Sequence, residues 1–440
     1  MKKTWLSAAM AATALVAASG DAFAVTQIQW WHSMGGANGK KLEEIADKFN
    51  KSQGDYEIVA VNKGAYPESM TAAIAAFRAG QQPDILQVFE VGTGTFMAAK
   101  QAIYPVQELM KDQGESFNAE DYLPTVTGYY QTGDGELLSF PFNSSTPILY
   151  YNKDAFKKAG LDPETAPKTW DELAADAKKI VDSGAAKCGL TSTWPSWMHV
   201  ENLSAWNGKK LATQQNGMAG TDAQFVFADE GLVPRHWANL VEWQKTGAYQ
   251  YRGRGSDSTP SFTSGDCAMT IESSAGRANI LNTSKFGVGF GMMPYYDDVE
   301  GAPQNSIIGG ASLWVMRGKP DDHYKGVAKF FSFLSQPEIQ AEWHQFTGYL
   351  PITKAAYELS KSQGYYEKNP GSEIAIKEIN LNAPTDYSKG LRFGNFVQIR
   401  QMFEEQLEAA LGGKKSAEQA AKDAQDTGNQ MLREFEAQQQ

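Results

Sequence analysis

Cysteine is nearly missing: Cys188 and Cys267 are the only two in 440 residues. They stand too far apart for a CxxC redox or zinc knuckle. An oxidising compartment would permit a bridge between them and two buried thiols are the alternative; spacing does not choose, because pairing depends on proximity in space. Histidine is also sparse. His32, His199, His236, His323 and His344 include no i,i+4 pair and no glutamate placed as in a zinc hydrolase helix, so no catalytic metal is expected. There is no GxSxG elbow and no cysteine placed as a nucleophile. The chain is therefore expected to be no enzyme and to carry no cofactor. Basic runs are lacking too. With 40 Lys and Arg against 51 Asp and Glu, the formal charge is −11, which argues against nucleic acid or anionic lipid as a partner.

Long apolar runs are confined to the amino terminus. Lys2 and Lys3 precede an Ala-rich stretch from Trp5 to Ala18, and Ala22-Phe23-Ala24 has the small-x-small pattern of a cleavage point. The stretch falls short of the roughly 20 residues that span a bilayer. Residues 1–24 thus read as a secretory signal, with a mature chain from Val25 outside the cytoplasmic membrane. Removing them leaves 416 residues with charge −12, since Lys2, Lys3 and Asp21 leave together. That is more than one core usually serves, and two domains are expected.

What is present is an alternation of strands and helices. Val25–His32 alternates as a strand, and Lys40–Phe49 places Leu42, Ile45, Ala46 and Phe49 on one helical stripe. Tyr56–Asn62, Pro67–Ala79 and Asp84–Phe89 repeat the theme. The fold class read from this is α/β in two lobes, each a mixed, mainly parallel sheet flanked by helices. Ligands of such sheets sit beyond the carboxyl ends of strands, here Trp31–Met34, Lys63–Tyr66 and Glu90–Gly92. Leu137–Phe142 reads as a strand, Asn143–Pro147 as a polar turn crossing between lobes, and Ile148–Asn152 as a strand of the next lobe. Thr169-Trp170-Asp171-Glu172 fits a capping box. Further on, Cys267–Thr270 feeds Glu272, Ser273 and Ser274 to a strand end, and Ile307–Val315 crosses back. Two crossings imply a discontinuous body: 25–143 with about 309–336 as lobe one, 144–308 with about 337–440 as lobe two.

Two glycine motifs fail on inspection. Gly35-Gly36-Ala37-Asn38-Gly39-Lys40 resembles a phosphate loop, but Met34 and Lys41 stand where that loop needs glycine and a hydroxyl; it reads as a glycine-rich helix start. Gly287-Val288-Gly289-Phe290-Gly291 has no helix after it, which excludes a dinucleotide turn. What remains is aromatic, hydroxyl and glycine residues at strand ends. Trp194 and Trp197, in a Pro-containing turn, are either a packing patch or a ligand platform, and Tyr66, Tyr349 and Trp31 carry the same ambiguity between core and rim.

The motifs WHSMGG, NKGAY, ILQVFEVGT, PFNSSTPILYYNKDAFKKAGLDP, GDCAMT, IIGGASLWVM, TGYLPIT and GLRFGNFVQIR together resemble the extracytoplasmic solute-binding proteins of ABC importers, in the branch that handles glycerol 3-phosphate. The resemblance spans nearly the whole mature chain. It implies a monomeric periplasmic receptor whose two lobes close on sn-glycerol 3-phosphate or a glycerophosphodiester such as glycerophosphocholine, and which delivers it to membrane permease subunits. A neutral oligosaccharide receptor of the same fold is the alternative; a secreted phosphodiester hydrolase would need a metal cluster or nucleophile. The family's ligand residues fall on Tyr66, Glu90, Ser145, Ser273, Gly310, Tyr349 and Arg400, and Trp194 matches a family tryptophan over the ligand. The resemblance makes Arg400 the one fixed positive charge, facing an open cleft with a planar fork suited to two phosphate oxygens, with Ser145, Ser273 and the Gly310 amide completing the cage and Glu90 an acceptor for glycerol hydroxyls. One departure is the acidic and basic pair Glu272 and Arg277, where the family pattern is small and uncharged. Strand alternation is expected to turn Glu272 away from Ser273, toward Arg277.

Overall fold

Alternating burial along Thr26–His32 (β1) sends Ile28 and Trp30 into the core and leaves Gln27 and Gln29 exposed, the period of two that a pleated strand imposes. The computed structural model describes residues 25–439; the expected signal segment, 1–24, lies outside the described residues. The strands that follow are Tyr56–Asn62 (β2), Ile85–Phe89 (β3), Ile103–Tyr104 (β4), Phe140–Ser145 (β5), Pro147–Asn152 (β6), Cys188–Ser192 (β7), Cys267–Ser273 (β8), Val288–Met292 (β9) and Gly309–Met316 (β10). One sheet has six strands, ordered β2-β1-β3-β10-β4 with β5 also on β10; the other has four, ordered β7-β8-β6-β9. The helices Gly36–Ser52 and Tyr66–Arg78 connect β1 to β2 and β2 to β3. Thr169 and Glu172 cap Trp170–Asp182 reciprocally, as expected.

The two-lobe α/β construction is present, and its strand directions differ from expectation. β1–β2, β1–β3 and β7–β8 are parallel, while β10 runs antiparallel to β3, β4 and β5, and β6 to β8 and β9. The cause is the chain path: β10 re-enters the first sheet from the second, against the strands laid down before the chain left.

The crossing is tighter than a turn. Asn143, Ser144 and Ser145 belong to β5, opposite Ala311, Gly310 and Gly309, and Pro147 opens β6 opposite Ser273. Thr146 alone lies between the sheets. These turn-forming residues stay in strand because they are buried and bonded: Asn143 Nδ2 donates to Tyr66 Oη, and Gln87 Nε2 donates to Asn143 Oδ1 at 2.9 Å.

Cys188 and Cys267 are register partners on β7 and β8 and form a disulfide, which resolves that alternative. The segment after 337 divides in its packing. Pro337–Thr347 lies on the helix Gly36–Ser52, with Trp343 stacked on Phe142 beside the first sheet. Phe396–Leu411 and Ala417–Ala437 instead pack on Leu232–Thr246 beside the second. Among the described residues no helix is long and apolar enough to cross a membrane.

Candidate functional site

Between the sheets lies a cavity of about 430 Å³, within the size range of small-molecule sites. Tyr66, Glu90, Ser145, Trp194, Ser273, Gly310, Tyr349 and Arg400 all line it, although they span positions 66 to 400 of the chain.

The floor is built where the strands cross. Ser145 ends β5, Ser273 ends β8, and Gly310, second in β10, holds φ +98. A Cβ at Gly310 would meet Asn143 O at 2.0 Å, so only glycine lets the two backbones approach this closely. Tyr66 opens the helix after β2; its ring stacks on Phe89 at 5.0 Å and its hydroxyl is held by Asn143. Tyr349 follows the left-handed cap Gly348 and stacks on Trp343, and Leu350 N ties the segment to Ser144 O at 2.7 Å. Burial raises both phenols, Tyr66 well above the usual value and Tyr349 to about 12. Both therefore stay protonated and able to donate.

Arg400 is not the free fork that the resemblance implied. Its Nε and Nη2 donate to Glu201 at 2.8 and 2.6 Å, and Nη2 also donates to Glu90 at 2.7 Å. All three side chains are buried. Burial opposes the guanidinium charge, but Glu201 and Glu90 outweigh it, so its pKa is raised. Burial likewise raises Glu90, against the pull of Arg400. Arg400 thus joins a carboxylate beyond β3 to one in the short, wide-turned helix Trp197–Asn202 of the second lobe. Glu201 was missed from sequence because 199 positions separate it from its partner.

Glu272 also departs from expectation: it lines the cavity and makes no ion pair with Arg277. Strand alternation fails here because β8 ends at Ser273 and the chain turns immediately through Ser274–Gly276. Arg277 lies over the Phe290 ring, 4.6 Å from its centroid. The two tryptophans part ways. Trp197 is buried, its ring where a Cβ on Gly309 would fall, 2.4 Å from the indole. Trp194 is partly exposed and holds φ +44, uncommon for a bulky residue and a mark of functional sites.

Sequence reasoning also missed the glycine-rich helix start as a cavity wall. Gly35–Asn38 line it, and the helix they open has no side-chain cap, which puts an uncapped helix start, with its positive dipole end, at the cavity wall.

The chain matches the family described as bacterial extracellular solute-binding protein over residues 44–372. The chain belongs to that family. Among curated relatives, the sn-glycerol-3-phosphate-binding periplasmic protein UgpB of Salmonella typhimurium is 55% identical over 422 residues, covering 96% of each chain. The Escherichia coli K12 protein of the same name is 54% identical over 422 residues, with the same coverage. Among solved structures, UgpB from Mycobacterium tuberculosis in complex with glycerophosphocholine superposes with a TM-score of 0.78 at 19% identity, covering 94% of this chain and all of that one. Maltose-bound T. maritima MalE3 gives a TM-score of 0.77 at 18% identity, covering 93% of this chain and 100% of that one. At those identities the two structures establish the two-lobe fold of this solute-binding protein, and that fold serves both a phosphodiester and a sugar.

The crossing between the sheets of this family member holds a buried carboxylate. Glu378 Oε1 accepts from Met293 N at 2.9 Å, after β9, and Oε2 from Thr146 Oγ1 at 3.0 Å, between β5 and β6. It thereby joins both connections between the sheets. Burial raises its pKa from 4.5 to about 8. Between those values the folded protein keeps a proton that the unfolded chain releases, so this group's contribution to stability falls as pH rises through the window. Glu272, raised to about 7 by burial, acts in the same direction. The buried His199 and His236, both lowered by burial, act oppositely and only below about 6.5. Glu378→Gln, which keeps an acceptor for Met293 N and turns an amide donor toward Thr146 Oγ1 in place of the acceptor Oε2, is expected to flatten the decline between pH 6.5 and 8 by up to about 1.4 kcal/mol per pH unit. Denaturant melts of parent and variant at a series of pH values check this; parallel curves would contradict it.

Proposed function

We propose that this protein is a periplasmic receptor that captures sn-glycerol 3-phosphate, and glycerophosphodiesters such as glycerophosphocholine, and presents them to the permease of an ABC importer without turnover. The observation that carries the reading is the convergence of eight scattered residues on one cavity whose floor is lined with hydroxyl and amide donors. The curated relatives named for glycerol 3-phosphate support the choice of ligand.

On this reading the ligand divides between two chemistries. The phosphate lies against Ser145, Ser273, the Gly310 amide, the two tyrosine hydroxyls and the uncapped helix start, a set of neutral donors and a dipole end suited to an anion. The glycerol end meets Glu90 beside Arg400. A carboxylate accepts from a hydroxyl while the adjoining guanidinium donates to it through Nη1, the edge that Glu90 and Glu201 leave untaken among the described residues. Hydrogen bonds to a charged group contribute about 1.5–3 kcal/mol each. Several together reach the roughly −8 kcal/mol of micromolar binding after the cost of association. The net charge of the chain affects approach more than the bound state, because it is screened over a Debye length of about 10 Å. Thr146 and the return before β10 are the hinge about which the lobes close on the ligand.

Calorimetric titration of the mature protein with glycerol 3-phosphate, glycerophosphocholine and maltose tests this. Both phosphate ligands are expected to bind and maltose is not. Binding of maltose alone would move the protein to the sugar receptors, and consumption of the diester would make it a hydrolase.

A further inference from the structure

We infer that Glu272 is a specificity residue for the group beyond the phosphate, supplying the countercharge for a cationic head group on a glycerophosphodiester; this rests on the reading above. Glu272 is buried yet is one of the residues that line the cavity. Oε2 accepts from Thr259 Oγ1 and Oε1 from Ser273 N, both at 2.8 Å, which fixes the orientation of the group without neutralising it. Among the described residues no Lys, Arg or His makes an ion pair with it. A buried carboxylate with no cation beside it is costly, and natural structures pair such charges. Here the missing partner has a place to come from, because Glu272 lines the ligand cavity, and above about pH 7 its carboxyl is charged to meet it.

The neighbours fit a cation. Trp194 follows Thr193, whose hydroxyl donates to Ile271 O next to Glu272, so the indole-bearing turn is tied to the end of β8. Trp194, Ser256, Thr259 and Pro260 line the cavity as Glu272 does, and Thr259 is bonded to Glu272. An indole and a carboxylate lining one cavity are groups that attract an ammonium, the ring through its face and the carboxylate through its charge. The position fits too. Glu272 immediately precedes Ser273, assigned above to the phosphate, and a short tether joins the ammonium of such a head group to that phosphate. The remaining charges favour the same ligand: Arg400 is already matched by Glu90 and Glu201. A dianionic monoester therefore adds negative charge beside Glu272, whereas a zwitterionic diester brings its own cation.

The test is calorimetric titration of the mature parent and of Glu272→Gln with four probes: glycerol 3-phosphate, glycerophosphoglycerol, glycerophosphoethanolamine and glycerophosphocholine. The parent is expected to bind the two cationic-head diesters at least about tenfold more tightly than the neutral-head diester, a difference of about 1.4 kcal/mol. Glu272→Gln is expected to erase that preference while tightening for glycerol 3-phosphate, a gain that misfolding could not produce. Equal affinity of the parent for neutral and cationic heads overturns the inference, as does a variant that keeps the preference. If the variant does not fold, the head-group series on the parent decides alone. Failure of the parent to bind any probe would sink the proposed function itself, whereas binding of glycerol 3-phosphate without head-group discrimination sinks only the role of Glu272.

Discussion

Replacing Arg400 with alanine is expected to abolish binding of glycerol 3-phosphate and to destabilise the empty protein by about 3–5 kcal/mol, the cost of removing one partner from a buried ion pair. The resemblance placed this guanidinium in an open cleft, where its loss would leave the melting temperature nearly unchanged. The structure places it under two carboxylates, with contacts of 2.6 to 2.8 Å to Glu201 and Glu90. Truncation leaves both carboxylates buried with no cation between them. It also removes the link between the first lobe and the helix Trp197–Asn202. Adding Glu201→Gln to the alanine variant should recover part of the stability, because it removes one of the stranded charges, but no binding. Denaturant midpoints of the ligand-free proteins check this, and an unchanged midpoint for Arg400→Ala would put the side chain in solvent.

Gly310→Ala is expected to be nearly as damaging, by about 2–6 kcal/mol, through two mechanisms that act together: strain at a left-handed backbone angle and overpacking. With φ +98, an added Cβ falls 2.0 Å from Asn143 O and 3.2 Å from Ser144 Cα. All the nearest atoms are backbone, so nothing rotates aside. Relief requires β10 to part from β5 at the crossing, which displaces Ser145 and the Gly310 amide from the proposed phosphate position. Binding should be lost together with stability. A variant with parental stability and affinity would show that the two strands are not held as closely as described.

Sequence periodicity carried much of the fold. The stripe Leu42, Ile45, Ala46 and Phe49 marks a real buried helix face, and β1, β2 and β3 lie within a residue of where alternation put them. Local chemistry failed at the crossing. Asn143-Ser144-Ser145 are turn formers by preference, yet tertiary pairing with Gly309–Ala311 holds them in a strand. Strand direction was misjudged for a related reason: nothing within β10 records that it returns from another sheet. At the site, motif matching assembled residues that share one cavity, because a resemblance along the whole chain preserves positions. It did not predict the ionic surroundings. Glu201 and Arg400 lie far apart in sequence, and Glu272 was expected to turn away because the end of β8 cannot be seen in the pattern of side chains. Pairing of charges is a property of the folded surface, and sequence spacing speaks only to pairs within one element.

In the proposed complex the lobes hold a phosphate with neutral donors at the strand crossing while Glu90 and Arg400 read the glycerol. A crystal structure of the protein with bound glycerophosphocholine tests it most directly. The phosphate oxygens should lie within hydrogen-bond reach of Ser145, Ser273, the Gly310 amide and the hydroxyls of Tyr66 and Tyr349, with the glycerol hydroxyls on Glu90 and Arg400 still paired to Glu201. A ligand lying outside this cavity, or one turned so that its phosphate meets Arg400 and displaces Glu201, would contradict the account.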